Sequence, residues 1–106
     1  MKSQKLLEIR KEVIDVLKKL RKELNAEIYL FGSYAKGTYT VESDVDIVVV
    51  SEKFKKLSYA ERVEMVRTKL PENIGFDIIP LTPEELEEKK KKPFYKTISK
   101  HWIKIT

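Results

Sequence analysis

Phe31-Gly32-Ser33-Tyr34-Ala35-Lys36-Gly37, a polar connection over 38–43, and then Asp44-Val45-Asp46-Ile47-Val48-Val49-Val50 form the stretch whose reading decides the fold. Residues 26–31 alternate Ile28 and Leu30 with Tyr29 and Phe31, which reads as a strand at least partly covered on both faces. Gly32 breaks it. Gly32-Ser33 begins a turn, Tyr34-Ala35-Lys36 can add a short helical turn, and Gly37 ends that. Asp44 to Val50 reads as a second strand. Its β-branched run Ile47–Val50 predicts a central position, buried on both faces. The link between the strands is too short for a helical crossover, so they are expected to pair antiparallel.

Outward from this stretch, the N-terminal side reads as one helix over 4–24. Leu6, Ile9, Val13, Leu17, Leu20 and Leu24 recur at three- and four-residue spacing. Ser3 can cap its start and Asn25 can stop it. On the C-terminal side Ser58-Tyr59-Ala60-Glu61 is a capping box opening a helix to about Leu70, with Val63, Val66 and Leu70 inward, ended by Pro71. A third strand spans 74–81, where Gly75 marks a bulge or a close backbone approach. The helix between strands two and three can serve as a crossover, so that pair can run parallel. Thr82-Pro83-Glu84-Glu85 is a second capping box, and its helix runs to about Lys91. Beyond Pro93, Phe94, Ile98 and Trp102 can line one face of a last helical turn or two, and residues 102–105 can finish as a short strand. The fold class expected is α+β (α/β mixed), a small mixed sheet covered by helices. Residues 1–106 read as one domain.

Composition narrows the function classes. The chain has 106 residues, 42% of them hydrophobic, enough for one core. It has no cysteine, which excludes disulfides, thiolate metal sites and cysteine nucleophiles. No signal-peptide core and no membrane-spanning apolar run is visible, so a cytoplasmic address without membrane attachment is expected. Charged residues make up 37% of the chain, with a net charge of +5. The lysines at 89–92 read as a solvated helix end in preference to a nucleic-acid patch. A Lys/Glu-rich surface without cysteine is the bias of hyperthermophile proteins.

Asp44 and Asp46 stand two apart on a strand, so both side chains are expected on one face. Asp77, in Phe76-Asp77-Ile78, lies among apolar neighbours of the next strand and can join them. Gathered carboxylates repel one another, and protonation or a bound metal relieves them. Oxygen-only ligands suit Mg²⁺ or Mn²⁺. A Gly-Ser turn can cradle a phosphate, because glycine lets the backbone approach and the hydroxyl and N–H groups donate.

Taken together, Gly32-Ser33-x-Ala35-x-Gly37 followed by Ser43-Asp44-x-Asp46 and an apolar strand resembles the signature of the DNA polymerase beta-like nucleotidyltransferases. The chain's length resembles their minimal nucleotidyltransferase (MNT) members, stand-alone cores paired with a helical HEPN-domain protein. The resemblance implies a nucleotidyltransferase fold and a type VII toxin–antitoxin pair. The MNT antitoxin would transfer AMP from ATP to a tyrosine of the HEPN RNase toxin, releasing pyrophosphate. Asp44, Asp46 and Asp77 would be the catalytic residues and the ligands of two Mg²⁺ ions. Gly32 and Ser33 would hold the terminal phosphates, with Lys36 as a further phosphate contact. Alternatives are an antitoxin that neutralises its HEPN partner by binding alone, and nucleotidyl transfer to RNA or to a small molecule. An oligomer with the partner fits the lack of an acceptor domain. His101, the one histidine, reads as a surface or packing residue. Tyr34, Tyr39 and Tyr95 read as packing in preference to stacking on adenine, and Phe94, Trp102 and Ile103 as core. The composition predicts a melting temperature above the ordinary range of about 45–65 °C for mesophile domains. A thermal scan of the purified chain that falls inside that range contradicts the thermophile reading.

Overall fold

In the computed structural model, which describes residues 3–106, the first helix and the first strand follow the sequence periodicities closely. α1 (Gln4–Leu24) begins where the Leu6 N–H donates to Ser3 Oγ at 3.2 Å, and ends where Asn25 enters the left-handed region at φ 48°. Its buried stripe is Val13, Leu17, Leu20 and Leu24. β1 (Glu27–Phe31) follows. Then comes the short α2 (Gly32–Lys36), closed by Gly37 at φ 84°.

β2 (Val45–Val50) is the centre of the sheet. It pairs antiparallel with β1, Phe31 opposite Asp46, and parallel with β3 (Phe76–Leu81), Asp46 beside Asp77. β4 (Ile103–Lys104) pairs antiparallel with the outer edge of β1, which completes the order β3-β2-β1-β4. The mixed sheet is therefore as expected. Alternation along the strands sends two sets of side chains to two cores. One face carries Ile28, Leu30, Val45, Ile47, Val49, Phe76 and Ile78 against α1 and Val66 of α3 (Tyr59–Arg67). The other carries Val48, Val50 and Leu81 against Leu86 of α4 (Pro83–Lys89) and Tyr95 of α5 (Pro93–Ile98).

Both capping boxes form, Ser58 with Glu61 and Thr82 with Glu85. Several boundaries shift. α3 stops at Arg67, short of Leu70: its last turn tightens as Leu70 N–H donates to Arg67 at 3.1 Å, because Pro71 disfavours a helical conformation just before it. α4 stops at Lys89, and Lys90 and Lys91 there face Glu87 and Glu88 in exposed ion pairs, a solvated helix end as read. In the last helix the inward residue is Tyr95, while Phe94 is 57% exposed. Pro93 takes the first helical position, and from that start Tyr95, Ile98 and Trp102 fall on one face. Among the described residues no helix is long and apolar enough to cross a membrane.

Arg62 ties three elements together. Its guanidinium forms a two-pronged pair with Glu85 of α4, and it donates to the Pro80 carbonyl of β3 at 3.3 Å and to Leu57 at 3.1 Å. Glu85 also caps α4, accepting the Thr82 N–H at 2.8 Å. Arg62→Ala strands those acceptors and should lower the free energy of unfolding by about 2 kcal/mol, read as a shift in the urea midpoint. An unchanged midpoint would mean the clamp is energetically idle.

Candidate active site

The strand register alone lines up Asp77, Asp46 and Phe31 across three adjacent strands at one end of the sheet. Gly32 begins α2 immediately after Phe31. Asp46 points from the face that carries Val48 and Val50, and Asp77 from the same face as Ile79 and Leu81. The carboxyls of Asp46 and Asp77 lie within hydrogen-bonding reach of each other, and Asp44 is close enough to act on Asp46 by charge.

Two glycines make room for these acids. A Cβ on Gly32 would overlap Asp46 Oδ2, and Gly32 has a φ of +68°, so a side chain there is excluded by space and by backbone conformation together. A Cβ on Gly75 would overlap Asp44 Oδ1. Gly75 is thus the close approach and not a bulge: its carbonyl accepts the Val45 N–H at 2.9 Å, and the parallel register runs on from there without interruption. That same bond makes Val45 the first residue of β2, so Asp44 sits just before the strand, turned toward Gly75. Asp46 is turned toward Gly32 and Asp77.

Electrostatics follow from the placement. Asp46 is half-buried, and burial first, then the neighbouring Asp77 and Asp44 carboxyls, push its pKa up to about 6. Asp77 is exposed, although its sequence neighbours are apolar. Phe76 and Ile78 face the core beneath α1 and α3, and Asp77 points the other way, at the uncovered end of the opposite face. Among the described residues no three acidic or histidine side chains converge as they stand into a metal-holding group, since Asp44 flanks the Asp46–Asp77 pair. The donor set nevertheless suits a divalent cation. It is all carboxylate oxygen, and burial together with its like charge opposes ionisation of Asp46, a cost that a cation would offset.

The other predicted residues are placed as follows. Gly32 and Ser33 open α2 beside Asp46, and the Ser33 carbonyl accepts the Gly37 and Thr38 N–H groups at 2.9 and 3.0 Å. Lys36 is exposed at the end of that turn. Ser43 Oγ accepts the Thr40 N–H at 2.8 Å and so closes the loop into β2. Tyr34 and Tyr39 are buried and stacked on each other at 4.3 Å, and the Tyr39 hydroxyl donates to Leu6 at 3.1 Å. Both are packing residues. His101 is at the surface, as read, but it lies next to Gly32 and Lys36 around a cavity of about 270 Å³. Sequence reasoning missed that proximity. The only signal for it was the short apolar strand after Trp102, which pairs with β1.

This fold and this turn-and-carboxylate arrangement define a class. The chain belongs to the nucleotidyltransferase domain family, whose model matches residues 10–104. Among curated proteins it resembles three from Methanocaldococcus jannaschii that carry the provisional name protein adenylyltransferase. One is 27% identical over 64% of this chain and 74% of its own length, another 48% identical over 40% and 42%. The third is 38% identical over 52% of this chain and 60% of its own length. Among solved structures, one from Sulfolobus solfataricus, provisionally named a nucleotidyltransferase, superposes with a TM-score of 0.68 at 25% identity, over 97% of this chain and 87% of that one. A structure described as a toxin–antitoxin with AMP-PNP superposes with a TM-score of 0.51 at 30% identity, over 63% of this chain and 56% of that one.

The raised pKa of Asp46 sets a pH dependence. An unfolded aspartate releases its proton near 3.8, and folded Asp46 keeps it to about 6. This residue's contribution to stability therefore falls as pH rises from about 4 to 6 and is level above that. Asp46→Asn should raise the unfolding midpoint of the metal-free protein at pH 7 and flatten the decline across that interval. A lower midpoint at pH 7 would contradict the placement of Asp46 among like charges.

Proposed function

We propose that this chain is a minimal nucleotidyltransferase that moves AMP from ATP to a hydroxyl of a partner protein, a tyrosine of a HEPN-type RNase toxin, and so acts as the antitoxin. The observation that carries the reading is the row Asp77–Asp46–Phe31 with Gly32 against Asp46, set in the fold of a nucleotidyltransferase family. The provisional names of the M. jannaschii relatives support protein as the acceptor, and the toxin–antitoxin structure with AMP-PNP supports an adenine nucleotide and a toxin partner.

Each residue has a task in this reading. Gly32 contributes its N–H and Ser33 its hydroxyl to the terminal phosphates, on a turn that carries no side chain of its own at Gly32. Asp77, the exposed acid of the row, takes the proton of the attacking hydroxyl. The acceptor oxygen bonds to the α-phosphorus, the α–β anhydride bond breaks, and pyrophosphate leaves. Asp44, Asp46 and Asp77 would hold Mg²⁺ or Mn²⁺, which when bound supplies charge neutralisation to the triphosphate and leaving group and a lowered pKa to the attacking hydroxyl. Orientation matters as much as charge: holding the acceptor hydroxyl in line with phosphorus removes most of the entropic barrier to a two-substrate reaction. The residues of this chain form the nucleotide half of such a site, and the acceptor hydroxyl comes from the partner.

The test is incubation of the chain with labelled ATP, Mg²⁺ and the HEPN-type product of the neighbouring gene, followed by mass spectrometry of both proteins. AMP is expected on a tyrosine of the partner, and Asp44→Asn and Asp46→Asn should each abolish labelling while the circular dichroism spectrum is unchanged. Persistent labelling by the double variant would remove these acids from the mechanism. Toxin neutralisation by an unlabelling variant would favour inhibition by binding alone, and label on RNA or a small molecule would redirect the acceptor.

A further inference from the structure

The pairing of Leu30 with Ile103 decides where the C-terminal segment falls. Continued through the antiparallel register, it sets Trp102 opposite Phe31 and His101 opposite Gly32. Trp102 is anchored there, its ring 4.7 Å from that of Tyr29, in the same apolar cluster as Phe31, Ile98 and Val48. The 3-10 turn Ser99–His101 packs directly on α2. Between them lies the cavity of about 270 Å³ lined by Gly32, Lys36, Thr97, Ile98, Lys100 and His101. Because Phe31, Ile98 and Trp102 cover the same face of the sheet from which Asp46 and Asp77 project, the cavity adjoins the acids on the face that carries them.

Its chemistry is the opposite of theirs. Two lysines and a histidine converge on a glycine turn, and no carboxylate lines the space. Among the described residues Lys36, Lys100 and His101 make no ion pair. Lysines grouped around a concave site whose own lining carries no carboxylate attract anions. Ile98 is the only apolar side chain of the lining and no Phe, Tyr or Trp is present, so the lining favours an anionic group over a nucleobase. The volume is also below the ~300–1,000 Å³ that enclose a whole drug-sized ligand.

We propose that this cavity holds the terminal phosphates of the nucleoside triphosphate, with Lys100 and His101 of the C-terminal segment as binding residues beside Lys36. This rests on the nucleotidyl-transfer reading of the adjoining acids, and it places the base and ribose outside the cavity. The C-terminal segment is then part of the nucleotide site and not only a packing strand.

Titration calorimetry with Mg²⁺ present tests it, using ATP, inorganic tripolyphosphate and AMP as probes. Lys100→Ala/His101→Ala should weaken ATP and tripolyphosphate by about tenfold or more, about 1.4 kcal/mol, and leave AMP unchanged. Lys96→Ala, which removes an equal charge from the same segment outside the cavity, should leave all three unchanged. Should the double variant fail to fold, Lys100→Gln/His101→Asn carries the same expectation. An unchanged ATP affinity in the folded double variant overturns the proposal and leaves nucleotidyl transfer standing. Tripolyphosphate binding that depends on Lys100 and His101, with no AMP transfer to any acceptor, keeps the cavity and overturns the functional reading. A wild-type chain that binds neither ATP nor tripolyphosphate overturns both.

Discussion

The register of β2 is the constraint on which the rest depends. Its backbone is bonded on both edges, to β1 in one direction and to β3 in the other. A slip of one residue would send Val48 and Val50 to the wrong core and turn Asp46 inward beneath α1. Two close approaches act at the open end of the same strand, Gly32 against Asp46 and Gly75 against Asp44. The apolar pattern that builds the two cores is therefore the same pattern that aims the acid. Fold and site are not separable in this chain: the strand that holds the sheet together also delivers the carboxylate that the sheet least easily accommodates.

That carboxylate shows the tension plainly. Asp46 sits half-buried beside another acid, with a third nearby, and keeps its proton up to about pH 6. Several charges elsewhere are satisfied locally. Glu61 and Glu85 complete capping boxes, and Arg62 reaches three backbone or side-chain acceptors. Like charges gathered in a half-buried cluster mark it as a place where stability has been given up for chemistry.

Much of this was readable from the residues because the deciding signals are local. Ser3, Asn25, Ser58 and Thr82 mark helix ends by short-range hydrogen bonding, and Ile47–Val50 marks a central strand by its unbroken β-branched run. Gly32-Ser33 and Asp44-x-Asp46 lie close together in the chain, so their proximity in space needed only one tight connection. What was not readable depends on long-range placement. Asp44 turns to Gly75 because a backbone bond from Val45 begins the parallel pairing, and nothing in Ser43-Asp44-Val45 announces it. The exposed side of Asp77 depends on where α5 stops covering the sheet. The phase of the last helix, which buries Tyr95 and exposes Phe94, turns on Pro93 taking the first helical position. The approach of Lys100 and His101 to Gly32 needs β4 to pair with a strand from the opposite end of the sequence.

That last pairing is also the thinnest part of the sheet. β4 holds β1 through two residue pairs on an outer edge, with Trp102 seated on Tyr29 behind it, whereas β2 is gripped along its whole length on both sides. Free energies of local opening scale with what is broken. Releasing the tail gives up that short ladder, the Ile105 N–H bond to Ile28, the Lys104–Glu27 ion pair, and the burial of Ile105 in one core and of Trp102 against the other. The side of the cavity formed by Lys100 and His101 is thus mounted on an edge strand whose hold is mainly apolar burial, while Asp46 is mounted on the central strand bonded along both edges.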